Sequence, residues 1–354
     1  MTISRLSAAA GTTLVAATLA AWSVPALAAD PVIYVTNQGA GVTLLDPVHF
    51  TPGKTINLDG SDPRGLAVTR DGKLLLTANQ KTGDVAVIDT ATLKVLRRIP
   101  VGKNPEFLRI LPDGTKAFVT YEPASSGKPP APGAKNDHDD DDDTPGQVAV
   151  IDLRTWKVVR SIVGAPETEG IEFLPDQKHF AITNEGNDTV TVYNIASGKL
   201  VKTVDLHPHG HRPRGIKVSP DGKQYIVTME NSNSFVVLDK NFKHVKTVPT
   251  ATGPYGVGFD KAGKRIVVAS GRGGKVQFFD ATTHATLADV PVGKRCWHFT
   301  FTPDESQLLV ACGRSNDVEV IDTTTYKVTK NVPGFQLPWG IVSYPNASGS
   351  LDAP

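Results

Sequence analysis

A repeat of about forty residues runs through most of this chain and constrains its fold more than any other feature. The clearest copies open with Pro-Arg-Gly at residues 63–65 and 213–215, and with Pro-Trp-Gly at residues 338–340. Consecutive copies start 41 to 45 residues apart, apart from one interval of 63 that holds an insertion. The seven starts are Pro63, Pro105, Thr168, Pro213, Pro254, Cys296 and Pro338.

Each complete copy predicts four short β-strands. A short apolar run is followed by a turn often spelled Pro-Asp-Gly and by a second run that ends near Asn or Glu. An alternating stretch such as residues 85–89 comes next, and a final run such as residues 95–99 ends the copy. Four strands at this period are typical of a β-propeller blade.

The two ends of the repeat predict how many blades there are and how the ring closes. The last copy has only an innermost strand, while residues 33–37 match a second strand that lacks a first. Pairing them completes a seventh blade and removes the open sheet edges that template aggregation. We therefore predict an all-β, seven-bladed propeller of four-stranded blades over residues 29–345, with N- and C-terminal strands sharing one blade. Residues 346–354 are then a C-terminal tail.

The N-terminus has the pattern of a secretory signal peptide. Arg5 precedes an apolar stretch at residues 14–21, and small residues at 26–28 provide a cleavage site. Residues 1–28 are therefore predicted to be removed, and the mature chain to be periplasmic with no membrane span. The formal net charge of +1 gives no electrostatic case for nucleic acid as a partner.

An acidic insertion at residues 123–145 explains the interval of 63 residues between repeat starts. The insertion lies between the second and third strands of the second unit. It contains Asp137, His138 and Asp139 in an Asp-rich run, beside a flank rich in Ser, Gly and Pro. This composition cannot form a packed core and predicts disorder.

Two cysteines, Cys296 and Cys312, lie in one predicted blade on strands joined by the first hairpin. In an oxidising compartment they could form a cross-strand disulfide. A register shift of one residue would instead place them on opposite faces as separate thiols.

One face of a propeller, here called the upper face, carries the loops that lead into the innermost strands. The residue after each repeat start should lie at the mouth of the central channel on this face. Two arginines and two glutamates opposite three aromatic residues would suit a small polar or anionic ligand. Alternatively, the charges pair with one another and the aromatic residues cap the core. These mouth residues are Arg64, Glu106, Glu169, Arg214, Tyr255, Trp297 and Trp339.

Two metal hypotheses also concern the upper face. His207, His209 and His211 lie within five residues and could ligate Zn²⁺ or Cu²⁺, with Asp137, His138 and Asp139 reaching them from the insertion. Oxygen atoms at the ends of the second strands could instead hold Ca²⁺. The alternatives are a solvated acidic loop, an exposed His-rich turn, and polar side chains that bond to loop backbone. The second-strand residues are Asn37, Asn79, Glu122, Asn184, Glu185 and Glu230.

Several segments resemble the YVTN-repeat propellers. They are Ile-Tyr-Val-Thr-Asn at residues 33–37, Ile-Thr-Asn-Glu at 182–185, and Val-Ile-Asp at 87–89, 150–152 and 320–322. Residues 292–297, 301–305, 315–318 and 337–340 are similar to a seven-repeat subgroup associated with pyrroloquinoline-quinone-dependent alcohol oxidation. This resemblance implies an exported, non-catalytic accessory or binding protein. The acidic insertion departs from the short connection expected in that subgroup.

The sequence therefore favours a periplasmic module that binds a small polar ligand or a protein partner without turnover. Trp297→Ala should then weaken binding and leave the melting curve nearly unchanged. The first alternative is a Zn²⁺- or Cu²⁺-handling protein. The second is a lactonase-like hydrolase with a divalent ion held by Glu106, Glu169 and neighbouring Asn. The common hydrolase, phosphate-loop and haem-attachment motifs are missing from the sequence, which favours the non-catalytic interpretation.

Overall fold

A computed structural model describes residues 31–123 and 144–352 and contains seven four-stranded antiparallel sheets. All seven predicted repeat starts are the first residues of innermost strands, so the prediction of a seven-bladed propeller is confirmed. The predicted signal peptide and most of the acidic insertion, including Asp137, His138 and Asp139, lie outside the described residues. Among the described residues no helix is long and apolar enough to cross a membrane.

Blades 1 to 3 follow one another along the chain, and their strands are given from the channel outward. Blade 1 contains Pro63–Val68, Leu74–Asn79, Asp84–Asp89 and Lys94–Pro100. Blade 2 contains Pro105–Ile110, Lys116–Tyr121, Pro145–Asp152 and Lys157–Pro166. Blade 3 contains Thr168–Phe173, His179–Asn184, Thr189–Asn194 and Leu200–Asp205.

Blades 4 to 6 repeat this plan, and the two chain ends supply blade 7. Blade 4 contains Pro213–Val218, Gln224–Met229, Ser234–Asp239 and His244–Pro249. Blade 5 contains Pro254–Phe259, Arg265–Ser270, Lys275–Asp280 and Thr286–Pro291. Blade 6 contains Cys296–Phe301, Gln307–Cys312, Asp317–Asp322 and Lys327–Pro333. Blade 7 contains Pro338–Tyr344, Val32–Asn37, Gly41–Leu45 and Pro52–Ile56, and single turns of 3-10 helix lie at Glu230–Ser232 and Gly313–Ser315.

The Pro-x-Gly start of the repeat has a packing reason. A Cβ on Gly215 would lie 2.6 Å from the carbonyl oxygen of Tyr255 in the next blade, and a Cβ on Gly340 would lie 2.7 Å from that of Arg64. Thr228 Oγ1 donates a 2.6 Å hydrogen bond to the same Tyr255 oxygen. Glycine therefore lets neighbouring innermost strands approach closely. A hydroxyl group on the second strand donates the hydrogen bond that the buried carbonyl oxygen needs.

The C-terminal tail turns back into the channel from the lower face, which carries the hairpin turns. Gly349 forms an isolated antiparallel bridge with Thr300, and Phe301 N donates to Ser348 O at 2.8 Å. Leu351 and Asp352 are buried there. The tail therefore contributes buried residues to the core of the propeller.

Candidate functional site

The seven mouth residues all occupy the second position of their innermost strands, as the repeat predicts. Six of the side chains are buried, and 12% of the Arg214 side chain is exposed. Arg64 pairs with Glu106 across the boundary between blades 1 and 2. The mouth charges thus bond largely to one another, which matches the structural alternative for this ring.

Aromatic rings fill the channel just below the mouth. The His298 ring lies 4.2 Å from the Trp339 ring and 5.4 Å from that of Tyr255, and Phe107 lies 5.7 Å from Trp339, centroid to centroid. Trp297 instead packs against Gly313, where a Cβ would overlap its ring. The two predicted stacking tryptophans are therefore core residues in different environments.

Arg214 is the centre of a buried ion-pair network that joins blades 3 and 4. Its Nε lies 2.7 Å from Glu230 Oε2, and its Nη1 lies 3.3 Å from Glu169 Oε2 and also contacts Glu185. Tyr255 donates a 2.5 Å hydrogen bond to Glu169 Oε1, and its ring lies 4.7 Å from the Arg214 guanidinium carbon. The three carboxyl groups are about 1% exposed, so Arg214 is their compensation within the protein. Burial raises the pKa of Glu185, although Arg212 and Arg214 oppose this rise.

Three further arginines, here called the upper-face arginines, also contact Glu230. One of them, Arg212, belongs to the network as well, because its Nη2 lies 2.8 Å from Glu185 Oε2. Arg272 Nη2 lies 2.9 Å, Arg212 Nε 3.3 Å and Arg295 Nη1 3.5 Å from Glu230 oxygens. Burial alone would raise the pKa of Glu230, but Arg214, Arg212 and Arg272 outweigh it and hold the pKa at about 2. Side-chain exposure is 20% for Arg212, 29% for Arg272 and 12% for Arg295, so this cationic group reaches solvent.

The pKa of Glu122 is raised, in contrast to that of Glu230. Glu122 Oε2 accepts a 3.0 Å hydrogen bond from Asn104 Nδ2, and burial together with the charges of Glu169 and Glu167 raises its pKa to about 8. Glu122 is therefore a neutral carboxylic acid at pH 7, while Glu230 is a carboxylate.

Glu122→Gln is expected to stabilise the protein relative to wild type at pH 8 but not at pH 5. The unfolded chain ionises Glu122 near pH 4.5, whereas the folded chain keeps its proton up to about pH 8. Wild-type stability should therefore fall as pH rises between these values, by about 1–3 kcal/mol after allowance for coupled neighbours. Urea unfolding of both proteins at the two pH values measures this difference. Parallel pH profiles would contradict it.

His298 lies in the channel between the upper and lower ends. Burial is the main reason that its pKa falls to about 3, so its imidazole is neutral. Ser350 Oγ in the tail lies 3.0 Å from its Nδ1, and among the described residues its Nε2 has no hydrogen-bond partner.

The lower end of the channel contains a second charged group around the tail. Arg109 Nη1 lies 3.0 Å from Glu172 Oε2, and Lys217 Nζ donates to the backbone oxygen of Asp352. Burial, with Arg109 second, lowers the pKa of Lys217 to about 8. Burial raises that of Asp352 to about 7, although Lys217 and Arg109 oppose this rise. Cavities of 640 and 390 Å³ border Arg109 and Asp352.

The other predicted site residues divide between several environments. The amide groups at the ends of three second strands donate hydrogen bonds to side chains of their own blades, so they have a structural role. These residues are Asn37, Asn79 and Asn184. Of the loop histidines, His207 and His211 contact Asp188, whereas His209 stacks on His244 with centroids 3.6 Å apart.

A disulfide joins Cys296 and Cys312, which face each other in the register of the first two strands of blade 6. The bond closes the hairpin next to Trp297 and Gly313.

The residue immediately before each innermost strand was not among the predicted site residues. This position has a left-handed backbone in all seven blades, with φ between 50° and 65°. Reading the repeat one residue before its start, rather than one residue after, would have found Arg212 and Arg295. The seven residues are Asp62, Asn104, Glu167, Arg212, Gly253, Arg295 and Leu337.

A protein-family model matches part of the chain. The family described as "Lactonase, 7-bladed beta-propeller" matches residues 152–244. The chain is 25% identical to "Uncharacterized protein YncE" of Salmonella typhimurium over 214 residues, which cover 58% of this chain and 53% of that protein. The aligned region thus spans about half the length of that relative.

Solved structures with the same fold cover nearly all of the propeller. A functionally unknown protein from Desulfotomaculum acetoxidans has a TM-score of 0.73 at 18% identity, covering 88% of this chain and 98% of that one. The periplasmic gluconolactonase PpgL of Pseudomonas aeruginosa has a TM-score of 0.71 at 17% identity, with the same coverage. At these identities the similarity shows the fold alone.

Proposed function

We propose that this propeller is a periplasmic binding protein for a small, oxygen-rich anion, which it holds at the upper-face arginines Arg212, Arg272 and Arg295. One observation carries the proposal: these three guanidinium groups and that of Arg214 all contact the single carboxylate of Glu230. Guanidinium donors bind carboxylates in a planar, two-pronged geometry.

The proposed site lies farther out than the mouth residues, because the charged mouth residues already form ion pairs with one another. Arg272 and Arg295 have no carboxylate besides Glu230 among the described ion pairs, and both are partly exposed. Arg212 also pairs with Glu185 and Glu167, so an anionic ligand would supply oxygen atoms chiefly to Arg272 and Arg295. Export and an accessory role beside quinone-dependent alcohol oxidation belong to the same proposal and rest on the sequence.

Gluconate is a suitable first probe, since it combines a carboxylate with a polyol, and glucose is its uncharged counterpart. Isothermal titration should detect gluconate but not glucose, and Arg272→Met should weaken gluconate binding about tenfold or more. Arg154→Met, an exposed arginine in blade 2, is the matched control and should bind normally. Equal binding of gluconate by wild type and Arg272→Met would contradict the proposed site.

Lactone hydrolysis is the second candidate, favoured by the raised pKa of Glu122, to which the neighbouring Glu169 and Glu167 contribute. Carboxyl groups with different protonation states can act as general acid and general base. The lactonase family match includes Glu167, Glu169 and Glu185, and PpgL shares the fold.

Hydrolysis of glucono-δ-lactone in a pH-stat decides between binding and catalysis. A rate above the spontaneous one that Glu122→Gln abolishes would establish the hydrolase. A chelator then tests the divalent ion proposed for Glu106 and Glu169. Gluconate binding without accelerated hydrolysis would retain the binding proposal.

A further inference from the structure

We infer that Asp188, His207 and His211 form a binding site for a divalent transition metal, Zn²⁺ or Cu²⁺, with a fourth coordination position open to solvent. Asp188 lies in the turn between the second and third strands of blade 3, and the histidines lie in the loop from blade 3 to blade 4. One oxygen or nitrogen atom from each residue lies within 4.8 Å of the other two. The proposed anion site does not include these residues.

Two of the three spacings between the ligand atoms are already close to those of a tetrahedral site. His207 Nδ1 lies 3.0 Å and His211 Nδ1 lies 2.8 Å from Asp188 Oδ2. Zinc bonds of about 2.0–2.1 Å place neighbouring tetrahedral ligands about 3.3 Å apart. An outward shift of a few tenths of an ångström would therefore admit the ion.

The loop that carries the histidines is fixed by its own hydrogen bonds. His211 N donates to Ser232 Oγ at 2.8 Å, and His207 N donates to Asp205 Oδ1 at 3.0 Å. Leu206 N donates to Asp188 O at 2.9 Å, which joins the loop to the turn. The two histidines are thus presented to Asp188 without a change of backbone.

Asp188 is also oriented by a second contact. Its Oδ1 accepts a 2.7 Å hydrogen bond from Arg212 N, which leaves Oδ2 directed at both imidazoles. Hydrogen bonds to the other oxygen of a ligating carboxylate are the usual support of metal ligands.

The chemistry of the donors selects the class of metal. Two imidazole nitrogens and one carboxylate suit Zn²⁺ or Cu²⁺, whereas Ca²⁺ and Mg²⁺ prefer sets made only of oxygen. The side chains of His207 and His211 are 69% and 53% exposed, so solvent can occupy the fourth position. Such an open site suits an ion that exchanges more than one that holds a fold together.

The ion would replace a proton at each ring. In the metal-free protein both Nδ1 atoms face an acceptor-only carboxylate, so each carries a proton. Metal binding requires each proton to move to Nε2 of the same ring or to solvent.

The test is isothermal titration of Zn²⁺ and, separately, Cu²⁺ into untagged, metal-free protein, with Ca²⁺ as the comparison ion. We expect one site for either transition metal, weakened about 100-fold or more by His207→Ala and by His211→Ala. His209→Ala is the matched control, because its ring stacks on His244 away from Asp188, and it should retain the site. The Asp-rich stretch at residues 137–143 is present in every protein compared, so its contribution cancels.

Circular dichroism of each variant confirms that it is folded, and Cu²⁺ electron paramagnetic resonance reads the ligands directly. Hyperfine coupling to two nitrogens that is lost in His207→Ala would support the site. Absence of transition-metal binding by wild type would overturn the proposal. So would unchanged affinity in both alanine variants, or equal loss in His209→Ala.

Discussion

Arg214→Met is expected to lower the free energy of unfolding by about 3–5 kcal/mol, the cost of removing one partner from a buried ion pair. Methionine is long and apolar, so it keeps most of the packing volume but removes the charge. Glu169, Glu185 and Glu230 would then remain buried with part of their compensation gone. Urea unfolding at pH 7, followed by circular dichroism, measures the change.

Arg154→Met provides the control for this measurement. Arg154 is exposed in the hairpin between the outer strands of blade 2, and surface substitutions of this kind usually change stability by less than about 0.5 kcal/mol. If Arg214→Met unfolds at the same urea concentration as this control, the network around Arg214 does not stabilise the ring.

Trp297→Ala is expected to cost about 3–5 kcal/mol, as for other buried large aromatic residues. Its side chain is buried and lies on Gly313, one residue after the disulfide-bonded Cys312, so truncation leaves a cavity beside the first hairpin of blade 6. Thermal and urea unfolding, both with the disulfide intact, measure the loss.

Trp156→Ala is the comparison for Trp297→Ala. Trp156 is half-buried near an outer hairpin, where Arg97 lies over its ring at 5.2 Å, so its loss should cost about 1 kcal/mol. Similar costs for the two tryptophans would contradict a core role for Trp297. The expectation from the sequence, that Trp297→Ala would spare stability, therefore differs from the expectation from the structure.

The charged mouth residues and the upper-face arginines have different roles. The charged mouth residues hold blades together, through Arg214 between blades 3 and 4 and through Arg64 with Glu106 between blades 1 and 2. Arg272 and Arg295 lie farther out and share one carboxylate, so their replacement should affect anion binding more than folding. Comparing Arg214→Met with Arg272→Met tests this division.

The fold could be predicted from the sequence because a propeller is a local repeat. Each complete copy carries its own strand alternation and its own turn residues, and four of the seven starts are Pro-x-Gly. The blade shared by the two chain ends could also be predicted, since residues 33–37 lacked a first strand and the copy that begins at Pro338 lacked a second strand. Local periodicity is enough when neighbouring blades make equivalent contacts.

The sequence also determined that the mouth positions would lie together, but only the tertiary structure decided what they contact. Whether Arg214 faces a ligand or three glutamates depends on side chains from other strands and blades, which no pattern within one repeat records. The same holds for Asp188, which lies 19 residues before His207 and meets it only because two loops of blade 3 leave the sheet on the same face. Periodicity fixes the position of each backbone segment in the ring. Charge pairing and burial depend on the particular side chains at each blade boundary, which differ from one boundary to the next. These side chains come into contact only when the ring closes.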